Sequence, residues 1–84
     1  MSWVVAVDAG VRKQMRRFPA ADTDRILAAL TEMETDPYAG DIEKLKGQER
    51  WKRRVGSYRI FYEIHAHRRV VYVVAVTRRT SSTY

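Results

Sequence analysis

The sequence has no cysteine. That excludes disulfides and thiolate metal sites and suits a reducing cytoplasm. Proline occurs twice and glycine four times, and no linker, internal repeat or low-complexity stretch interrupts the chain, so one domain over residues 1–84 is expected. Long apolar runs are missing as well. The longest, Val70 to Val76, is far too short to span a bilayer, and the opening MSWVVAVDAG carries no basic leader. A soluble, cytoplasmic domain without membrane contact is the expectation. Acidic residues are scarce in the C-terminal part: residues 51–84 hold eight basic side chains and one acid, Glu63, while residues 1–50 hold eight basic and nine acidic ones. The net charge of +6 therefore divides into −1 and +7. Such one-sided clustering suits nucleic acid or an acidic protein partner.

What is present is enough for a core: 45% hydrophobic residues, with two Trp, five Tyr and two Phe. Trp3 to Val7 reads as a short β-branched strand. Asp8 is placed to cap a helix with Val11, Met15 and Phe18 on one face. Pro19 ends that helix and suits the start of a second, lined by Ile26, Leu30 and Met33 and widened by Leu27. Asp36 before Pro37 marks its end, and residues 37–49 read as a connection with turns at Gly40 and Gly47. The period then changes from helical to alternating. Arg50 to Val55 and Tyr58 to His65 form strands around Gly56-Ser57, and a turn near Ala66-His67 leads to a strand from Val70 to Thr77. The fold class is α+β: a strand, a two-helix hairpin, then a three-stranded meander, with the helices on one face of a small, mainly antiparallel sheet.

The segment WKRRVGSYRI gathers four cations around its Gly-Ser turn. A two-residue turn sets Val55 opposite Tyr58, Arg54 opposite Arg59 and Lys52 opposite Phe61. Alternation then places Lys52, Arg54 and Arg59 on one face. Trp51, Val55, Tyr58, Ile60, Tyr62 and Ile64, with the stem of Arg53, take the other, which the helices should cover. If the second turn also has two residues, Val71, Val73 and Ala75 join the apolar face. Phe61, Tyr72, Val74, Val76 and, if the strand continues, Arg78 then join the charged one. Cations beside stackable rings suit a nucleic-acid strand, because guanidinium forks bind phosphate and bases stack on rings. Opposed like charges destabilise a strand pair, so an anion is expected to relieve them.

The stretches FPAADTDRILAAL, DPYAGDIEKLKG, WKRRVGSYRIFYEI and AVTRRTSSTY together resemble the RelE/ParE toxin superfamily of bacterial type II toxin–antitoxin systems, over nearly the whole chain. The resemblance implies a small toxin. RelE-like members cleave messenger RNA in the ribosomal A site without a metal or other cofactor: the ribose 2′-hydroxyl attacks the adjacent phosphate, leaving a cyclic phosphate and a free 5′-hydroxyl. ParE-like members instead poison DNA gyrase, and a silent relative that only binds RNA or its antitoxin is a third reading. The implied partners are a cognate acidic antitoxin, the ribosome and its messenger RNA, with a monomeric free toxin and a hetero-oligomer with antitoxin.

Carried over residue by residue, the family's catalytic set matches Lys52, Arg54, Arg59, Arg78 and Tyr84. Lys44 and Lys46 match the Lys-Leu-Lys-Gly motif and, with Phe61 and Arg79, are expected to contact RNA or the ribosome. The sequence departs where Arg54 replaces a second lysine and where Thr77 stands at a position often His or Lys. An arginine stays protonated, so Lys52 is the candidate base, helped by neighbouring cations that disfavour its charged form. Arg59 is the phosphate clamp, Arg78 the stabiliser of the leaving oxygen, and Tyr84 a base-stacking or orienting group. His65 and His67 read as solvated residues of the far turn, and Glu63 as relief for a nearby arginine. No acidic residues show metal-ligand spacing.

Overall fold

The structure is a computed structural model and describes residues 2–47 and 49–78. The element order is β1 (Val4–Val7), α1 (Ala9–Met15), α2 (Ala20–Thr35), β2 (Ile42–Lys44), β3 (Arg50–Val55), β4 (Tyr58–His65) and β5 (Val70–Arg78). Asp8 caps α1 as expected, its carboxylate accepting from the Gly10 N–H at 3.0 Å. Pro19 takes the N-cap position of α2, where its missing N–H costs no helical bond. Phe18 lies in the link between the helices rather than on α1, and still packs against the core.

The five strands form one sheet in the order β1-β5-β4-β3-β2. β1 pairs parallel with β5; the other pairs are antiparallel. Helix residues Val11, Met15, Ile26, Leu30 and Met33 meet Tyr58, Ile60, Tyr62, Val71 and Val73 in one buried layer. This confirms the α+β reading and the helix-covered face. The register Val55↔Tyr58, Arg54↔Arg59, Lys52↔Phe61 is the one the Gly-Ser turn dictates, with Gly56 at φ +57.

Two features depart from the expectation. The connection 37–49 contains a strand, β2, in which Ile42 pairs with Arg53, Glu43 with Lys52 and Lys44 with Trp51. It is only three residues long, too short for alternation to announce it. The second departure is at the other side of the meander. The turn spans residues 66–69, which keeps Val71 and Val73 inside, but a bulge opposite Phe61/Tyr62 then shifts the register by one. Val76 pairs with Ile60 and is buried, while Ala75 pairs with Phe61 on the open side. A one-residue slip exchanges the faces of everything beyond it. Val76 and Arg78 are therefore on the helix face, not the charged one, and Ala75 on the charged face, not the apolar one.

Candidate nucleic-acid interface

The uncovered face of the sheet carries Arg50, Lys52 and Arg54 from β3 beside Arg59, Phe61 and Glu63 from β4. Its cations are not left to repel one another. Lys52 reaches Glu43 at 3.2 Å, Arg50 reaches Glu63 at 3.3 Å, and Arg54 lies 3.8 Å from Asp41. Two of these acids come from β2 and the turn before it, the segment that the sequence reading took for a plain connection. The pattern Asp41-Ile42-Glu43, polar-apolar-polar, is the signal that marks them. Arg59 faces Arg54 and Thr77 and has no carboxylate partner among the described residues.

Arg78 is set apart from this group. It pairs with Tyr58, and its guanidinium lies 5.7 Å from the centre of that ring. Tyr58 is buried, packs at a tilt against Phe18 with ring centres 4.8 Å apart, and donates to Asp22 at 2.9 Å. Burial first, and then the Asp22 carboxylate, raise its phenol above the ordinary value. Arg78 is exposed and ends β5, so its side chain stands at the rim where the two faces meet. Arg79 and Tyr84 lie outside the described residues.

The remaining expected contacts are dispersed. Phe61 is half-buried beside Lys52. Lys44 sits next to Trp51 on the helix side, and Lys46 in the exposed turn that follows. Both point to the end of the sheet away from Arg59. His65 ends β4 and contacts Glu63 at 3.0 Å. That contact, joined by Arg50, holds the Glu63 carboxyl below its usual value. Farther across, Tyr72 donates to the second oxygen of the capping Asp8 at 3.0 Å, which raises its own phenol.

On the covered face Arg53 is nearly buried. It pairs with Glu32, donates to the Ala29 carbonyl at 3.5 Å, and has a buried Nε without a partner among the described residues. Gly40, at φ +91, lies so close that a Cβ there would stand 2.9 Å from the guanidinium carbon. The expectation that the Arg53 stem belongs to the apolar side holds for the whole side chain.

A small mixed sheet with two helices on one face and cations on the other defines a class of small basic α+β domains. Within it, the family model described as the ParE toxin of type II toxin–antitoxin systems, parDE, matches residues 9–82. The chain belongs to this family, within the RelE/ParE toxin superfamily. Its fold is that of RelE in the archaeal RelE–RelB complex from Pyrococcus horikoshii, with a TM-score of 0.85 at 24% identity over 98% of this chain and 100% of that one. It is also similar to the isolated E. coli RelE toxin (TM-score 0.82, 21% identity, 96% and 88% covered). The YoeB/ParE toxin from Agrobacterium tumefaciens gives 0.76 and 19%, with 92% and 99% covered. No curated protein matches in sequence.

Proposed function

We propose that this type II toxin cleaves messenger RNA on the ribosome by metal-free attack of a ribose 2′-hydroxyl. The observation that carries the reading is the facing pair Arg54 and Arg59 beside Lys52 and Phe61 on an open sheet face, with Arg59 lacking a carboxylate among the described residues. Arg59 clamps the scissile phosphate, while Arg54 stabilises charge growing on it. The 2′-hydroxyl loses its proton through Lys52. The new bond joins the 2′-oxygen to phosphorus, the bond to the 5′-oxygen breaks, and solvent returns a proton to that oxygen. The products are a cyclic phosphate and a 5′-hydroxyl.

The acids already present do not block this. Pairs as exposed as Arg54–Asp41 and Lys52–Glu43 contribute about 1 kcal/mol or less, whereas hydrogen bonds to a charged phosphate contribute about 1.5–3 kcal/mol. Substrate therefore displaces them. The same comparison applies to Arg78. Its contact with the Tyr58 ring is worth about 0.5–1 kcal/mol, so it swings over the rim to the leaving oxygen when RNA binds. Tyr84 completes the set by stacking on a base.

Silencing falls to an acidic antitoxin. A groove of about 580 Å³ between the helices and β1 has Val5, Leu27 and Leu30 in its lining, with Arg12 and Arg16 outweighing its one acid, Glu34. Apolar floor and flanking cations fit an amphipathic acidic segment.

A second reading, inhibition of DNA gyrase, is favoured by the match to the ParE family model. The deciding experiment runs both assays on one preparation: cleavage of messenger RNA on programmed ribosomes, and supercoiling by gyrase. Cut message with unimpaired gyrase supports the nuclease. Intact message with blocked supercoiling replaces it by the second reading.

A further inference from the structure

The far end of the helix-covered face holds a row of side chains that the cleavage reading leaves unused. Trp3, ahead of β1, meets Tyr38 edge-on at 6.2 Å, and Tyr38 meets Trp51 of β3 edge-on at 5.6 Å. Arg69 closes one end, its guanidinium 5.4 Å from the Trp3 ring centre. Lys44 closes the other, as the register neighbour of Trp51. The two indoles rest on the core with part of each ring uncovered, and Tyr38 is 47% exposed.

Arg69 is the telling member. It has φ +55, the one non-glycine residue described with a positive φ, in a region that costs a side chain strain and favours Gly or Asn. The strained backbone is pinned by its carbonyl accepting from Val4 and its N–H donating to Ala66. Folding alone is served better by glycine there, yet an arginine is held against an indole. Neither Arg69 nor its neighbour Arg68 has a carboxylate partner among the described residues, and Lys44 has only Glu49, 3.8 Å away and 88% exposed.

We infer that this row is a second RNA-binding surface, a stacking platform for unpaired bases whose phosphates Arg69 and Lys44 take at its two ends. Neighbouring aromatic rings bordered by cations are the chemistry of single-stranded nucleic-acid contact, and a run of acidic side chains alone would use the cations but not the rings. The surface lies at the opposite end of the sheet from Arg59, so the toxin grips RNA at two points and is oriented by both.

The full chain provides its own reporter, since Trp3 and Trp51 are its only tryptophans. The probe is an oligoadenylate of about ten nucleotides, titrated against indole emission beside an abasic strand of equal length and polyglutamate. Oligoadenylate quenches the emission and the other two do not. Tyr38→Ala and Arg69→Gly each weaken its binding about tenfold or more, the scale of losing one stacked base or its cation. Arg69→Gly does so with a melting midpoint equal to or above the parent's, because relief of the left-handed strain offsets the lost ring contact. Arg59→Ala leaves the quenching intact while slowing cleavage, so the two proposals fail separately. Unaltered affinity in both row variants, equal quenching by the abasic strand, quenching by polyglutamate alone, or loss of quenching in Arg59→Ala would each overturn the platform.

Discussion

Arg54 and Arg59 face each other across β3 and β4, and of the two only Arg54 has a described carboxylate within reach, Asp41 at 3.8 Å. In the proposed cleavage reaction Arg59 is therefore the phosphate seat. Arg59→Ala should slow ribosome-dependent cleavage about a hundredfold or more, the scale of removing one transition-state donor. Its denaturant midpoint should equal or exceed the parent's, because an opposed like charge has gone. A variant that cuts normally, or that loses activity only by unfolding, removes Arg59 from the site.

Arg53 should behave in the opposite way. With Glu32→Ala the guanidinium stays buried with one nitrogen already unpartnered, and urea unfolding should register a loss of about 2 kcal/mol. Arg53→Met, apolar and of similar length, should be near neutral. Gly40→Ala should lose about 1–3 kcal/mol, since it combines a positive φ with a clash against the same guanidinium. None of the three should change cleavage per folded molecule. Parent-like stability of Glu32→Ala would show that the pair carries no load.

Alkaline unfolding should be driven by the raised phenols, Tyr62 foremost. Burial pushes Tyr62 up to about 12, with nearby Arg53 pulling weakly the other way. A raised folded value means that the native state keeps its proton where the unfolded chain has lost it. The contribution is whole below the unfolded value of about 10 and is lost as pH rises through the folded value near 12. Chemical denaturation across that window should show stability falling, and Tyr62→Phe should flatten the fall.

Glu63 gives the acid counterpart. His65 chiefly, with Arg50, lowers its carboxyl, so its stabilisation is present above the unfolded value of about 4.3 and disappears as pH drops through the lower folded one. Glu63→Gln should show a shallower acid limb in the same measurement.

Two further outcomes follow from the surface charge. Antitoxin binding should weaken as salt rises, because Arg12 and Arg16 flank the proposed groove and exposed ion pairs are screened. Under the proposed function the free toxin should barely cut naked RNA, since its cations provide charge but little alignment, which that proposal leaves to the ribosome. Titration at several salt concentrations and incubation with protein-free transcripts check the two claims. Salt-independent affinity sinks the first, and rapid degradation of the transcript the second.

Much of this was legible because local rules coincide with the global fold. Gly56-Ser57 fixes one register, and every side-chain assignment on β3 and β4 follows from it. Asp8 and Pro19 mark helix starts by chemistry that acts within a few residues. The misplacements arose where no local rule operates. The bulge opposite Phe61/Tyr62 is a property of how β5 fits its neighbour, and nothing in VVYVVAV distinguishes Ala75 from Val76 as the inward residue. Hence Arg78 was assigned to the wrong face. β2 was missed because three residues at an edge owe their conformation to pairing with β3, which also hid Asp41 and Glu43 as the counter-ions of Arg54 and Lys52. The platform row joins residues 3, 38, 51 and 69, a proximity that only the folded chain creates.

The parallel pairing of β1 with β5 joins Val4 to Val70 and Val7 to Val73, so one edge of the sheet is completed by strands far apart in the sequence. Closure over so long a loop is entropically costly and comes late. During synthesis β1 waits without a strand partner until β5 has emerged. A nascent toxin therefore has its β3–β4 cations before it has a finished domain to hold them in place.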